Sequence, residues 1–272
     1  MSKPLVSVVI TTKNEEEVIE TLLKSLISQT FSNFEIILVD NNSTDKTVEI
    51  VKKYKAKTFN KGPERSIQRN FGVKNSKGEY VIILDADMKL EASVLKDCVN
   101  KFKKDKNLAG LIVPEKSFGT GFWTKFKVFE REFYVGEESI EAARFFRRDV
   151  FLKFGGYDKN ITGPEDYDLP LRMKKDGLKI GRVKSFIHHN EKKFSPFKRA
   201  KKKFYYSLKA GVYLKKHPEM AIKQGNLFLR PVFFRKWKKL ISHPFLSLGM
   251  FFVKAIEMFG VVAGYIKGNI GK

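Results

Sequence analysis

The feature that most restricts this chain is an alternation, repeated through its first third, of short apolar runs rich in β-branched residues with stretches of helical periodicity. Leu5 to Ile10 is the first such run. From Glu15 to Gln29, Val18, Ile19, Leu22, Leu23, Leu26 and Ile27 recur at helical spacing, which predicts a strand followed by an amphipathic helix. Phe34 to Val39 repeats the strand. Thr44 to Tyr54 predicts a helix with Ser43 or Thr44 as its cap, and a short strand at Lys57 to Phe59 precedes a helix over Glu64 to Asn75. The strand Tyr80 to Leu84 closes the series. Units of this kind build a mainly parallel central sheet flanked by helices, an α/β fold, and such sheets bind ligands at the carboxyl ends of their strands. Asn14, Asp40, Asn41 and Asp85 all fall at those ends.

The strand Tyr80 to Leu84 delivers two carboxylates one residue apart, Asp85 and Asp87 around Ala86. Alternate residues of a strand share a face, so this spacing suits a single hard cation, held directly or through water. A cation there neutralises a diphosphate. Two helix-capping aspartates are the alternative.

Beyond Leu111-Ile112-Val113 the pattern changes. Gly119 and Gly121 loosen a loop before Phe122-Trp123, and Phe126 to Tyr134 predicts an aromatic-rich helix. After Glu191 basic and aromatic residues interleave to the end. The expected organisation is a domain over 1–190, with a nucleotide-binding half at 1–113 and an acceptor half at 114–190, followed by a basic helical extension over 191–272.

The chain of 272 residues carries a formal net charge of +23, which costs self-repulsion unless an anionic partner offsets it. Nucleotides, lipid head groups and nucleic acid all qualify, as does plain decoration of solvated faces. Cys98 is the one cysteine, so no internal disulfide forms, and Met1-Ser2-Lys3 leads almost directly into a strand without an apolar leader. A cytoplasmic location is expected.

Five ordered segments carry a resemblance: Val6 to Glu15 (VSVVITTKNE), Val39 to Asp45 (VDNNSTD), Asp85-Ala86-Asp87, Gly155-Gly156-Tyr157-Asp158 and Glu165-Asp166-Tyr167-Asp168-Leu169. Together they resemble family 2 glycosyltransferases over roughly Leu5 to Glu191. The resemblance implies the GT-A fold and inverting transfer of a sugar from a nucleotide-sugar. It also implies that Asp85 and Asp87 bind Mn2+ or Mg2+ against the donor diphosphate, where a cation stabilises the departing charge. By resemblance Asp166 is the general base that takes the acceptor proton, beside Glu165, and His189 joins the metal or the diphosphate. Gly163-Pro164 before Glu165 places these carboxylates at a helix N-terminus, although Pro170 is awkward in the second turn.

The donor set implied is Thr11, Thr12, Asn14, Glu15, Asp40, Asn41, Arg65, Arg69, Asn70, Asp85, Ala86 and Asp87. Thr11 and Lys13 stand where the family usually has proline and tyrosine. Asn41 stands where many relatives have an aspartate that accepts the base N–H, and an amide oxygen serves uracil better than guanine. UDP is therefore favoured over GDP. Arg65 and Arg69, completed by Asn70, are expected to meet the diphosphate or ribose, with an exposed helix face as the alternative.

Lys198, Arg199, Lys201, Lys202 and Lys203 cluster with Phe194, Phe197, Phe204, Tyr205 and Tyr206, and Arg235-Lys236-Trp237-Lys238-Lys239 repeats the combination. Basic residues with aromatics suit an anionic membrane surface. Pro244 to Ile266 is long enough to span a bilayer, but Lys254 and Glu257 sit in its middle. The large apolar residues return about 5 kcal/mol on insertion and the two charges cost roughly 3 each, so spanning gains nothing. An interfacial helix or a helix buried in a homo-oligomer contact is expected instead, with Gly249, Gly260 and Gly264 allowing close packing or a bend.

The sequence thus predicts a metal-dependent glycosyltransferase acting on a lipid-linked glycan or cell-envelope acceptor, peripheral at the inner membrane face and not a nucleic-acid binder. A polyprenyl-phosphate glycosyltransferase and a catalytically inactive binding protein of the same fold are the alternatives. A nucleotidyltransferase would need a glycine-rich phosphate loop near Thr11, which is lacking.

Overall fold

A computed structural model describes residues 3–220 and 230–269. Met1 and Ser2, and 221–229 and 270–272 of the expected extension, lie outside the described residues. The chain divides into two compact units. The first comprises Met1–Pro114, Ala142–Lys159 and Glu165–His189; the second comprises Glu115–Glu141, Asn160–Pro164 and Asn190–Lys272.

The first unit is built on a seven-stranded sheet. Its strands are β1 (Val6–Thr12), β2 (Phe34–Asp40), β3 (Lys57–Asn60), β4 (Tyr80–Asp85), β6 (Leu108–Ile112), β8 (Ala143–Arg147) and β9 (Lys179–Arg182), in the order β3-β2-β1-β4-β8-β6-β9. β3, β2, β1 and β4 run parallel, β8 runs antiparallel to both β4 and β6, and β9 is parallel to β6. Helices α1 (Ile19–Ile27), α2 (Thr47–Lys52), α3 (Arg65–Lys74), α4 (Val94–Lys104), α6 (Arg148–Lys153) and α7 (Glu165–Lys175) complete it, with the short strand β5 (Met88–Leu90) pairing antiparallel with the start of β10 (Ile187–Lys193). The alternation of the apolar strands explains the two cores. Val8, Ile10, Ile82 and Leu84 pack on one face with Leu22 and Leu26 of α1 and Val99 of α4. Val9, Val81, Ile83 and Phe146 pack on the other with Val73 of α3, Phe151 of α6 and Leu169 of α7.

Three expectations change. The series does not close at β4, because β8, β6 and β9 extend the sheet. The expected acceptor half 114–190 is not one body, since β8 is a strand of the first unit's sheet and takes 142–159 with it. And α2 starts at Thr47 with no side-chain cap, because Ser43 spends its hydroxyl on Asp40 instead.

The second unit holds β7 (Glu115–Thr120), α5 (Phe122–Tyr134), the end of β10, α8 (Pro196–Ser207), α9 (Ala210–Lys216), α10 (Pro231–Arg235), α11 (Trp237–Ser242) and α12 (Pro244–Asn269). Ser195 caps α8 ahead of Pro196 at its first position, as both residue types favour. The core gathers Phe129, Phe133 and Tyr134 of α5, Val232 and Phe233 of α10 and Met250 of α12. α12 is long and apolar enough to cross a membrane by length and composition alone. Its two central charges are nonetheless buried: Lys254 is 0% and Glu257 1% exposed. Lys254 Nζ lies 2.7 Å from Glu130 Oε1 and 2.9 Å from the Tyr134 hydroxyl, and Lys127 Nζ bridges Glu130 at 2.7 Å and Glu257 at 3.3 Å. The insertion cost counted from sequence placed these two charges in lipid, whereas the fold turns them onto α5.

α12 meets α8 backbone to backbone. A Cβ at Gly260, Gly264 or Gly268 would stand 2.2, 2.3 or 2.2 Å from the carbonyl oxygens of Ala200, Phe204 and Leu208. Both series advance by four residues in the same direction, so the helices run parallel along a glycine seam.

Candidate active site

The site assembles at the carboxyl edge of the parallel strands, where register sets Thr12 opposite Asp40 and Thr11 opposite Asp85. Asp40 is buried and organises the loop after β2. It accepts from Thr12 Oγ1 at 2.8 Å, from Ser43 N at 2.7 Å and from Ser43 Oγ at 2.6 Å. Asn14 adopts φ 54°, a left-handed conformation that asparagine tolerates, and joins the same loop: its N–H donates to Ser43 Oγ at 2.8 Å and its side-chain oxygen accepts from Thr44 N at 2.8 Å. Glu15 N donates to Thr47 Oγ1 at 2.8 Å. Asn41 packs against Gly62, where an added Cβ would fall 1.8 Å from its Oδ1. Thr12, Asn14, Asp40 and Asn41 therefore come together, but Asp40 faces its own loop.

The centre of the site is Arg69 on α3, whose side chain is 0% exposed. Its guanidinium lies 2.7 Å from Asp85 Oδ1, 2.6 Å from Asp166 Oδ1 and 3.3 Å from Glu165 Oε1. Burial opposes its charge, yet Asp166, Asp85 and Glu165 outweigh burial and hold it firmly protonated. The Tyr157 ring stands 5.5 Å from the guanidinium carbon. Burial would raise Asp85, but Arg69, Arg144 and Arg65 draw its carboxyl well below the usual range. Glu165 moves the other way: burial and the Asp166 charge raise it against Arg65 and Arg69. Arg65 reaches Glu165 at 3.4 Å. Arg65 and Arg69, expected from the sequence to meet the donor, form an arginine fork that gathers the acidic motifs.

Asn70 has a structural task as well. Its amide donates to the Tyr157 carbonyl at 2.7 Å and accepts from Tyr157 N at 2.9 Å, tying α3 to the Gly155-Gly156 turn. That turn needs glycine: Gly155 and Gly156 have φ 74° and 69°, and a Cβ on Gly156 would lie 2.4 Å from Asn70 Oδ1. Arg172 of α7 pins the same turn, donating to the Phe154 and Gly156 carbonyls at 2.5 Å each and to Asp168 at 2.8 Å. Within α7, Pro170 has no N–H for the Asp166 carbonyl, which loosens the turn carrying Glu165 and Asp166.

Asp85 ends β4, whereas Ala86 and Asp87 lie in the turn before β5, so strand alternation does not place the two carboxylates. Asp87 Oδ2 lies 3.3 Å from His189 Nε2, and Asp87 Oδ1 is buried with no hydrogen bond among the described residues. A carboxylate oxygen without a partner beside an imidazole suits Mn2+ or Mg2+. Asp85 is already engaged by Arg69 and, at 3.6 Å, by Arg144. Among the described residues no three histidine, cysteine or acidic side chains converge on one point, so a cation would draw its other ligands from donor and water. The neighbouring His188 lies 3.4 Å from Glu91.

The family model for glycosyl transferase family 2 matches residues 7–159, more than half of the chain. The chain belongs to that family. It is a transferase enzyme with a GT-A fold. It is 28% identical over 250 residues to an uncharacterized glycosyltransferase of Methanocaldococcus jannaschii, covering 80% of this chain and 82% of that one. It is 28% identical over 200 residues to a beta-monoglucosyldiacylglycerol synthase of Nostoc sp., covering 64% of this chain but only 42% of the synthase. Among solved structures, a mannosyltransferase from Pyrobaculum calidifontis in complex with GDP-Man and Mn2+ superposes with a TM-score of 0.66 at 17% identity, over 100% of this chain and 89% of that one.

In this family 2 enzyme four site residues escape sequence reasoning. Arg144 stands beside Asp85, Tyr157 beneath Arg69, and Ser43 on Asp40. Gln68 donates to the Val39 and Thr12 carbonyls at 2.9 and 3.3 Å. One signal was present: Arg144 is the second residue of the run Ala143 to Arg147, beside Phe145 and Phe146, and a charge next to so apolar a pair needs a partner.

Proposed function

We propose that this chain is a metal-dependent inverting glycosyltransferase. It moves a sugar from a nucleotide-sugar, UDP in preference to GDP, to a lipid-linked glycan or cell-envelope acceptor at the cytoplasmic face of the membrane. One observation carries the reading: a single buried guanidinium, Arg69, lies within 2.7 Å of both Asp85 and Asp166. The carboxylate of the donor side and the expected base thus occupy one site.

Asp166 takes the proton of an acceptor hydroxyl as its oxygen bonds to the anomeric carbon, while the bond to the nucleoside diphosphate breaks on the opposite side. The configuration inverts. Arg69 orients both carboxylates, and Asp87 with His189 would hold the cation. When bound, Mn2+ or Mg2+ neutralises charge on the departing diphosphate. Asn41 supports UDP through its amide acceptor, and because the Pyrobaculum neighbour was solved with GDP-Man the assay takes both donors. The acceptor class is supported by the Nostoc relative, named for a glycolipid product.

The test is single-turnover transfer from UDP- and GDP-sugars with Mn2+. Asp166→Asn should lower turnover by about 10²–10⁴-fold with donor affinity, measured calorimetrically, nearly unchanged. Turnover within roughly tenfold of wild type would overturn the base assignment, since a phosphate acceptor, already anionic, needs no base.

A further inference from the structure

The large apolar side chains that the first unit buries so thoroughly are left exposed in the second, and they are ordered. On α12, Leu248, Phe252, Phe259 and Val262 are 73%, 55%, 77% and 47% exposed. Their spacing of four, seven and three residues puts them on one stripe of the helix. Phe234, Trp237 and Ile241, at 62%, 53% and 67%, repeat the pattern across α10 and α11. The two central charges of α12 point elsewhere, because Lys254 and Glu257 are buried against α5 on the opposite side. Nothing on the outward stripe therefore resists contact with hydrocarbon.

We propose that the outward faces of α10, α11 and α12 dock on a bilayer containing anionic lipid, with α12 lying in the plane of the surface. This rests on the proposed membrane-face acceptor and deepens it. The charge of the surroundings selects the occupant. From Glu191 to the end of the chain there are 19 lysines and arginines against three glutamates, and exposed Lys238 and Lys267 directly follow exposed Trp237 and Ile266. A second copy of the chain would bring the same positive charge to the contact, whereas an anionic surface complements it. Aromatic side chains beside lysines are the side chains of an interfacial belt.

The orientation follows from the inner face. α12 runs along the glycine seam with α8 and is ion-paired to α5, so crossing the bilayer would draw α8, with exposed Lys198, Lys201 and Lys202, into hydrocarbon. An in-plane helix keeps every one of these contacts and buries only the apolar stripe.

The experiment is co-sedimentation of the full chain with phosphatidylcholine vesicles, with and without phosphatidylglycerol. Binding should require phosphatidylglycerol, and an alkaline carbonate wash should release the protein. Leu248→Ser/Phe259→Ser should weaken binding by roughly tenfold or more, since both apolar anchors are lost. Its transfer to a water-soluble acceptor should be unchanged, and Asp166→Asn should bind vesicles like wild type. Failure of the transfer reading thus shows in Asp166→Asn alone, and failure of docking in the vesicles alone. Equal binding to neutral vesicles, retention after carbonate, undiminished binding by the double variant, or a dimer that the double variant dissolves would each overturn the proposal.

Discussion

Arg69 is the residue on which the site turns. One guanidinium serves Asp85, Asp166 and Glu165, and removing it leaves three carboxylates near one another with only the longer contacts of Arg144 to Asp85 and Arg65 to Glu165 as counter-charge. Arg69→Met should therefore destabilise the first unit by about 3–5 kcal/mol, the scale of a broken buried pair. Arg69→Lys should recover only part, because an ammonium cannot span two carboxylates as a planar fork does. Urea unfolding of the three proteins checks the order; a methionine variant as stable as wild type would show that the carboxylates do not depend on this charge. This role was not legible in the sequence. Arg65 and Arg69 four residues apart on a helix look like ligands of a diphosphate or, failing that, an exposed basic face, and their partners Asp85 and Glu165-Asp166 arrive from distant segments. The carboxylates themselves were legible, since aspartates at a strand end and after Gly-Pro carry local signals.

At the scale of elements, α8 and α12 show what glycine spacing means. Gly260, Gly264 and Gly268 are not hinges, because a helix runs through all three and each faces a carbonyl of α8 or of Leu208 at its C-terminal cap. Gly264→Val should cost about 1–3 kcal/mol by overpacking, despite the better helix propensity of valine over glycine. Gly249→Val should behave likewise, its place being filled by the Phe126 ring. A melting temperature for Gly264→Val equal to wild type would mean that the two helices can separate freely. The parallel strands and α1 and α3 were readable because period and composition agree there. β8 was not, since two of its five residues, Arg144 and Arg147, are charged, it pairs antiparallel, and its place in the sheet depends on β4 and β6.

For the whole molecule, acid sensitivity has a structural source in the ion network of the second unit. Burial would raise Glu130, but Lys127 and Lys254 hold it well below the usual carboxylate range. A carboxyl lowered in the folded state contributes stability that is complete above its unfolded value, near 4.5, and is lost as pH falls through the folded value. Glu130→Gln should be weaker than wild type at neutral pH and should lose less on further acidification. Denaturant midpoints across that range test this, and parallel curves would exclude Glu130 as the source. The apolar stripe of α12 has one more consequence, for the behaviour of many copies together. Away from lipid, mutual repulsion from the +23 charge should keep these exposed faces apart in solution. That repulsion is colloidal and long-ranged, so concentrated salt, which shortens its reach to about 3 Å at 1 M, removes it while leaving the stripe as adhesive as before. The dispersed form of this chain belongs to dilute buffers of low ionic strength.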